Sequence, residues 1–442
     1  MNFFDPIEQV VDIHQKTIWH QPTAKLKDGF IGMLSGITGL YLIDKVVRAD
    51  PALQLAFGRS QCAHQATIHD TFQACQPANV SQLRTAVTTI FQQHSQTCSQ
   101  PWSEALLVLD LDLSGERTSK QAEQATKGYF AGHRNVYGRQ HGRLLAAAYD
   151  EIVVDQLYPG NTSLSRVMST VLQEMEEVLT LTPERRTAVV IRTDAAGGGE
   201  ERIDWLLNQG YQLHLKMFSW KRAAKLAGSV KLWRPDPLHP HRAVGLVWRP
   251  YPFARPTTQV AVRTAKAKGG WSYHVIVSSL PPEQAVLLAG RPLQDAWQIE
   301  PLLLAYTDLY DDRSGPIEHS FGEDHLGLPL GKRHRRAFVA QEMTRLLLSL
   351  AHNTLVWTRQ WLAVAWPRVR DLGLLRLIRD VLQVPGLVTF DPTGRLMAVK
   401  FNASDPWATE LMKAWRPVLS PLGITVGLAN MQIVNEQLLK PH

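Results

Sequence analysis

The chain has 442 residues, 45% hydrophobic and 20% charged, the balance of a globular protein with room for two to four domains. No run of 18 apolar residues occurs, which excludes a spanning helix, and the opening MNFFDPIEQVVDIHQK lacks the basic-then-apolar layout of a signal peptide, so the expected location is the cytoplasm. A net charge of +7 and a pI near 9.3 favour polyanionic partners, whose neutralised phosphates release counterions.

Residues 1–100 are expected to be helical. Apolar residues recur three and four apart over 34–47 (LSGITGLYLIDKVV) and 79–94 (NVSQLRTAVTTIFQQH). Residues 58–75 lie between them as two short helical stretches rich in Gln, His and Thr, equally compatible with a helix-turn-helix or a dimerising helical bundle. Cys62, Cys75 and Cys98 are too few for a disulfide framework. Of the His and Cys residues around them only His94 and Cys98 have ligand spacing, so buried thiols and surface histidines are expected rather than zinc.

From residue 104 the grammar changes. EALLVLDLDLSG (104–115) reads as a strand with Asp110 and Asp112 on one face, ending at Gly115. Strands at 142–151 and 151–160 follow as a hairpin, then a helix over 163–181 with Ser163 as N-cap. A buried strand, RTAVVIRTD, ends on Asp194. The glycines 197–199, a helix over 200–210 with Asp204 on its solvated side, and a strand over 211–218 complete the series. Three strands, helix, strand, helix, strand is the order of a ribonuclease H-like sheet.

Residues 221–297 break the pattern with nine of the 26 prolines and the tryptophans 233, 248, 271 and 297. Short antiparallel strands are expected at 245–253, 258–265 and 271–280, forming a β-rich insertion rather than a continuation of the parallel sheet. Helical periodicity returns at 298 and persists past 338. The tail contains a hairpin over 385–402 that turns at Asp391–Gly394, followed by a helix over 405–415.

Two acids that close hydrophobic strands, Asp112 and Asp194, carry the chemistry. Burying a carboxylate there costs several kcal/mol unless a cation or hydrogen-bond donors compensate it, and one common reason to place two on one sheet is a divalent metal. Mg²⁺ prefers hard oxygen ligands and keeps waters that a phosphate can displace, and a pair of ions suits phosphodiester chemistry. Residues 302–341 add Tyr310, Arg313 and Glu318, then the basic cluster Lys332, Arg333, His334, Arg335 and Arg336. An acid beside guanidiniums is the combination strand transfer needs. Asp110 competes with Asp112 for the first position, and the serine two residues beyond Asp112 favours the latter.

These motifs resemble those of bacterial insertion-sequence transposases of the DDE type with a β-rich insertion before the Glu. That family carries an Asp followed two residues on by Ser or Thr, matched by Asp112-Leu113-Ser114. It carries an R-x-D-small-G segment, matched by Arg192 to Gly197, and a Tyr-x2-Arg-x3-Glu-x6-Lys signature. Tyr310 and Arg313 match, Glu318 arrives one residue late, and His325 stands in place of the Lys. Glu323 is the alternative third acid.

The resemblance implies an α/β fold with a ribonuclease H-like mixed sheet, an inserted antiparallel β domain, a helical N-terminal domain and a small C-terminal α+β part. The expected division is 1–100 for DNA binding and dimerisation, 101–220 and 298–365 for catalysis, 221–297 for the insertion and 366–442 for the tail. Asp112, Asp194 and Glu318 would bind two Mg²⁺ ions, with Mn²⁺ as a substitute, to cut DNA at terminal inverted repeats and join the 3′-hydroxyls to target DNA. Tyr310, Arg313, His325, Lys332, Arg333, Arg335 and Arg336 would hold phosphates, and Trp297 or Trp271 would stack on a base. A homodimer on double-stranded DNA, associated with the nucleoid, is implied. The alternatives are a nuclease of the same fold without strand transfer and an inactive DNA-binding derivative.

Overall fold

The computed structural model of the chain describes residues 3–16, 18–130, 132–326, 328 and 335–431. In chain order the helices α1 (Asp5–Val10), α2 (Pro22–Leu34), α3 (Pro51–Ala56), α4 (Gln65–Ala74) and α5 (Pro77–His94) come first. The strands β1 (Leu107–Arg117), β2 (Thr126–Phe130), β3 (His133–Ala146) and β4 (Glu151–Pro159) lead to α6 (Leu164–Leu179). Next come β5 (Val189–Thr193), α7 (Glu200–Gln209), β6 (Gln212–Lys216) and α8 (Trp220–Ala227). Then follow β7 (Arg234–Pro235), β8 (Arg242–Leu246), β9 (Thr258–Ala265), β10 (Trp271–Ser278) and α9 (Pro282–Leu288). The long helices α10 (Ile299–Leu326) and α11 (Phe338–Ala365), the hairpin β11 (Gly386–Phe390) and β12 (Leu396–Asn402), α12 (Ala408–Leu419) and β13 (Thr425–Ala429) complete the chain.

The chain groups into two units, residues 88–322 and residues 1–87 with 323–442. This differs from the five consecutive segments expected: the helical head and the tail share a unit because α11 packs on α2 and α4, and also on α12. Within that unit the helix expected over 34–47 is displaced to α2. Gly36 has φ +67°, a conformation that breaks a helix, and only a short 3-10 turn, Leu40–Leu42, follows. The tail hairpin turns where expected, with Asp391 accepting from the N–H groups of Thr393 and Arg395. Cys62 and Cys75 are buried, which pushes each thiol up to about 12.

The other unit is built on a mixed sheet. Strands β4, β3 and β1 are antiparallel neighbours, and β5 and β6 run parallel to β1, which is the ribonuclease H-like arrangement. Strand β2, which the sequence pattern did not reveal, pairs with the first half of β3 while β4 pairs with the second. The proline-rich region is antiparallel as expected, but its strands extend this same sheet because β10 pairs with β6. Its first strand lies earlier than 245–253: β8 ends at Leu246, and Pro250 and Pro252 could not have donated to a ladder.

Helix α10 covers one face of this sheet. Leu303, Tyr306 and Leu309 join Val108, Val190, Val260 and Ile276 in one apolar cluster, and Ile317 and Phe321 pack on Leu145 and Ile152. A charge pair runs through this layer. Arg192 on β5 makes a bidentate contact with Asp110 on β1, at 2.6 and 2.8 Å, with both side chains fully buried. Its remaining nitrogen donates to the Leu309 carbonyl at 2.8 Å and to Asp312 at 3.2 Å on α10.

Arg192→Met would leave the Asp110 carboxylate buried without a partner. The expected loss is about 3–5 kcal/mol, and Asp110→Leu combined with Arg192→Met should recover most of it. Chemical denaturation of the three proteins measures both effects.

His214, beside Arg192 on β6, is also wholly buried, and burial followed by the charge of Arg192 pushes it down to about 3. Below about pH 6.5 the unfolded chain takes up a proton that the native ring refuses. Its contribution to stability is therefore lost as pH falls from about 6.5 towards 3, by up to about 1.4 kcal/mol per unit. His214→Leu should flatten that part of a plot of denaturation midpoint against pH.

Candidate active site

The parallel ladder between β1 and β5 ends at the pair Leu111–Thr193. The next residue on each strand is an acid, Asp112 and Asp194. Strand β1 does not stop at Gly115 but remains paired with β3 as far as Arg117 and Gly138. Asp112 is therefore mid-strand, and what ends beside it is the parallel pairing. A crevice opens there because β5 turns away into a 3-10 turn, Ala195–Gly197, capped by the Asp194 carboxylate, which accepts from Ala196 N–H at 2.8 Å.

Side chains alternate along these strands, so Asp112 and Asp194 follow Asp110 and Arg192 on the face that α10 covers. Burial, and then the charge of Asp194, raises the Asp112 carboxyl to about 6, with Arg313 and the Leu113 N–H acting in the opposite direction. Asp110 is held by Arg192, which leaves Asp112 as the acid that faces Asp194.

Helix α10 delivers two of the expected residues to the pair. Arg313 is buried, with Nη1 at 3.5 Å from Asp112 Oδ2, an ion pair without hydrogen-bond geometry. Among the described residues its Nε and Nη1 have no hydrogen-bond partner. Tyr310 lies one turn earlier with its ring 6.0 Å from the Arg313 guanidinium. Burial, with the charge of Asp194 adding and that of Arg313 opposing, pushes its phenol up to about 12. Arg143, the cross-strand partner of Asp112, is fully buried and bonded to Asp155 at 2.9 Å and to Ser320 at 3.2 Å. Asp155 also meets His141.

The acid pair opens into a cleft of about 530 Å³, also lined by Lys127, Tyr129, Gln140, Asn161, Thr162 and Ser163. Ser163 occupies the N-cap position of α6, but its side chain makes no capping bond. Glu318 is exposed. Helical phase instead places Ile317, four residues after Arg313, on the inward face. Among the described residues no group of three or more His, Cys, Asp or Glu side chains lies close enough to hold a metal ion. The two acids fit a hard cation nonetheless: their mutual repulsion is what a divalent ion relieves, and Mg²⁺ is commonly held by one or two carboxylates with water and substrate phosphate.

Other expected contacts lie elsewhere. Trp297 is 74% exposed, but sixteen residues before Arg313, about 24 Å along the axis if the helical rise is extended to it. Trp271 is partly exposed beneath the Arg263 guanidinium. Arg335 is turned into its own unit, with Nε donating to Thr344, Nη1 meeting His69 and the guanidinium lying over Phe72. Arg336 is exposed. The side chains of Glu323 and His325, and the residues Lys332, Arg333 and His334, lie outside the described residues.

Sequence reasoning missed Arg143, Asp155, His141 and Lys127, and did not foresee that Arg192 binds Asp110. The available signal was an arginine placed within an apolar strand, as in LLAAA after Arg143 and VVI before Arg192, where only an acidic neighbour makes it tolerable.

Among solved structures the chain is similar to the piggyBac transposase synaptic complex with hairpin DNA, at 11% identity. That match covers 87% of this chain and 78% of that one, with a TM-score of 0.46. It is also similar to a pre-cleavage Mos1 transpososome, at 11% identity over 46% of this chain and 62% of that one, with a TM-score of 0.17. No curated protein matches the sequence. No helix among the described residues is long and apolar enough to cross a membrane. The family described as Transposase DDE domain group 1 matches residues 1–420 of the 442, and the chain belongs to that family.

Proposed function

We propose that the protein is a transposase that cuts DNA at the terminal inverted repeats of its own element and joins the freed 3′-hydroxyls to target DNA. The observation that carries this reading is the acid pair at the end of the parallel ladder, with a buried, half-satisfied arginine beside it. Asp112 and Asp194 would hold the divalent ions, two Mg²⁺ with Mn²⁺ as a substitute, and Glu318 would be the third ligand. Ions bound there make water or a 3′-hydroxyl a better nucleophile and stabilise the leaving oxygen.

The chain's own groups prepare that chemistry. Arg313 neutralises part of the charge on Asp112 while the cleft is empty of DNA, and its unused donors suit a phosphate oxygen. Tyr310 stays protonated at neutral pH and donates rather than repels. Lys127, Asn161 and Thr162 supply a cation and neutral donors along the cleft for the adjoining backbone. For Glu318 to join the pair, α10 would have to turn by about one residue, because the side chain is exposed one place after the inward-facing Ile317. Pro316 brings no N–H, so the Asp312 carbonyl lacks its usual helical donor and this turn is where the helix can shift register by a residue. The helical unit recognises the element ends, and pairing two ends requires at least two copies of the protein.

The test uses pre-cut DNA ends from the sequences flanking the gene, a circular target and Mg²⁺. Joined product is expected from the native protein and none with a chelator. A nuclease without strand transfer would leave no joined product. Asp112→Asn and Asp194→Asn should each lower joining by about a thousandfold or more, with duplex binding retained. Glu318→Gln should do the same. Full joining by Asp112→Asn would sink the assignment.

A further inference from the structure

Helix α10 continues well beyond Arg313, and the sheet grips that stretch with a cluster that the chemistry above does not use. Arg143 on β3 stands between two acids, with Asp112 as its cross-strand partner on β1 and Asp155 as its partner on β4. Directly opposed residues share a face, so all three lie on the side that α10 covers. Arg143 donates to Asp155 at 2.9 Å and, from Nη1, to the Ser320 hydroxyl at 3.2 Å. That hydroxyl donates in turn to the Ile317 carbonyl at 2.8 Å. The Phe321 ring lies 4.7 Å from the Arg143 guanidinium and meets the His141 ring edge-on at 5.4 Å, and His141 is paired with the same Asp155.

An apolar seat for this stretch already exists, because Ile317 and Phe321 pack on Leu145 and Ile152. Arg143, Asp155, His141 and Ser320 are nonetheless all buried beside it. Filling the same space with hydrocarbon would avoid the desolvation of two charges, and what a satisfied polar network adds is one fixed geometry. The geometry fixed here is rotational. Pro316 brings no N–H to the helix, and Arg192 grips only the part before it, at Leu309 and Asp312. The part beyond, which carries Glu318, is gripped at Ser320 and Phe321.

Turning that part by one residue, the movement that would face Glu318 to the sheet, undoes these contacts. Phe321 would arrive where Ser320 accepts from Arg143, and Gly322 where Phe321 covers Arg143 and His141. Neither replaces what leaves, since a phenyl ring has no hydroxyl and glycine has no ring. We propose that Arg143, Asp155 and His141, acting through Ser320 and Phe321, are positioning residues that latch α10 with Glu318 turned away from Asp112 and Asp194. The latch rests on the reading that Glu318 completes the metal site of this acid pair. It makes metal capture conditional: the full ligand set forms only when another contact outweighs the grip on α10.

The experiment measures binding of Mn²⁺ to the full-length protein without DNA, from the loss of the free ion's paramagnetic resonance signal. Ser320→Ala should tighten binding by about tenfold, because it removes a hydrogen bond to a charged group that only the latched state makes. Ser320→Thr keeps the hydroxyl and should bind as the native protein does. Phe321→Leu keeps an apolar side chain against Leu145 but offers Arg143 no ring, and should tighten binding by about threefold or more. Neither gain can come from loss of fold. Adding Glu318→Gln to Ser320→Ala should cancel the gain. Unchanged or weaker affinity in both Ser320→Ala and Phe321→Leu would overturn the latch, as would a gain that survives Glu318→Gln. Asp112→Asn should abolish binding in every background, and binding that survives it would remove the acid-pair reading itself, so the two failures are distinct.

Discussion

Arg192 holds three elements together. Its guanidinium spans from Asp110 on β1 to the Leu309 carbonyl and Asp312 on α10, beside the apolar cluster of Val108, Val190 and Leu309. Two buried charges are tolerable only when both are fully matched, so the strands and the helix have little freedom to slide. Arg313 and Tyr310 lie within one turn of that anchor. Their meeting with the acid pair is thus a consequence of where Arg192 fixes the helix.

The site itself is an electrostatic compromise. Two carboxylates at the end of one ladder repel, and the fold opposes that repulsion with Arg313 while leaving the cleft open on the side of Lys127 and Asn161. Arg143 next to Asp112 is already bonded to Asp155 and Ser320. Of the two arginines beside Asp112, it is Arg313 that keeps two buried nitrogens without a hydrogen bond, and so it has donors left for an incoming phosphate.

Position along the sheet also separates roles that residue type leaves equal. Asp110 and Asp112 face the same way two residues apart, yet one is locked by a guanidinium and the other faces a second acid. Trp297 and Trp220 are both exposed tryptophans. One precedes the far end of α10, and the other follows the strand that lies beside Asp194.

The strand-helix order, the two acids and the tail hairpin were legible in the sequence because each depends on local pattern: period two in β1 and β5, period 3.6 in α6, and turn chemistry at Asp391–Gly394. Tertiary structure alone decided what depends on pairing. Strand β2 has a weak apolar pattern and is held by β3, and the proline-rich strands extend the main sheet only because β10 finds β6. Helix α11 joins the helical head across about 260 to 300 residues, a distance no local signal spans. Glu318 stands outside the inward face because a helix turns by 100° at each residue, so an acid one place late points elsewhere.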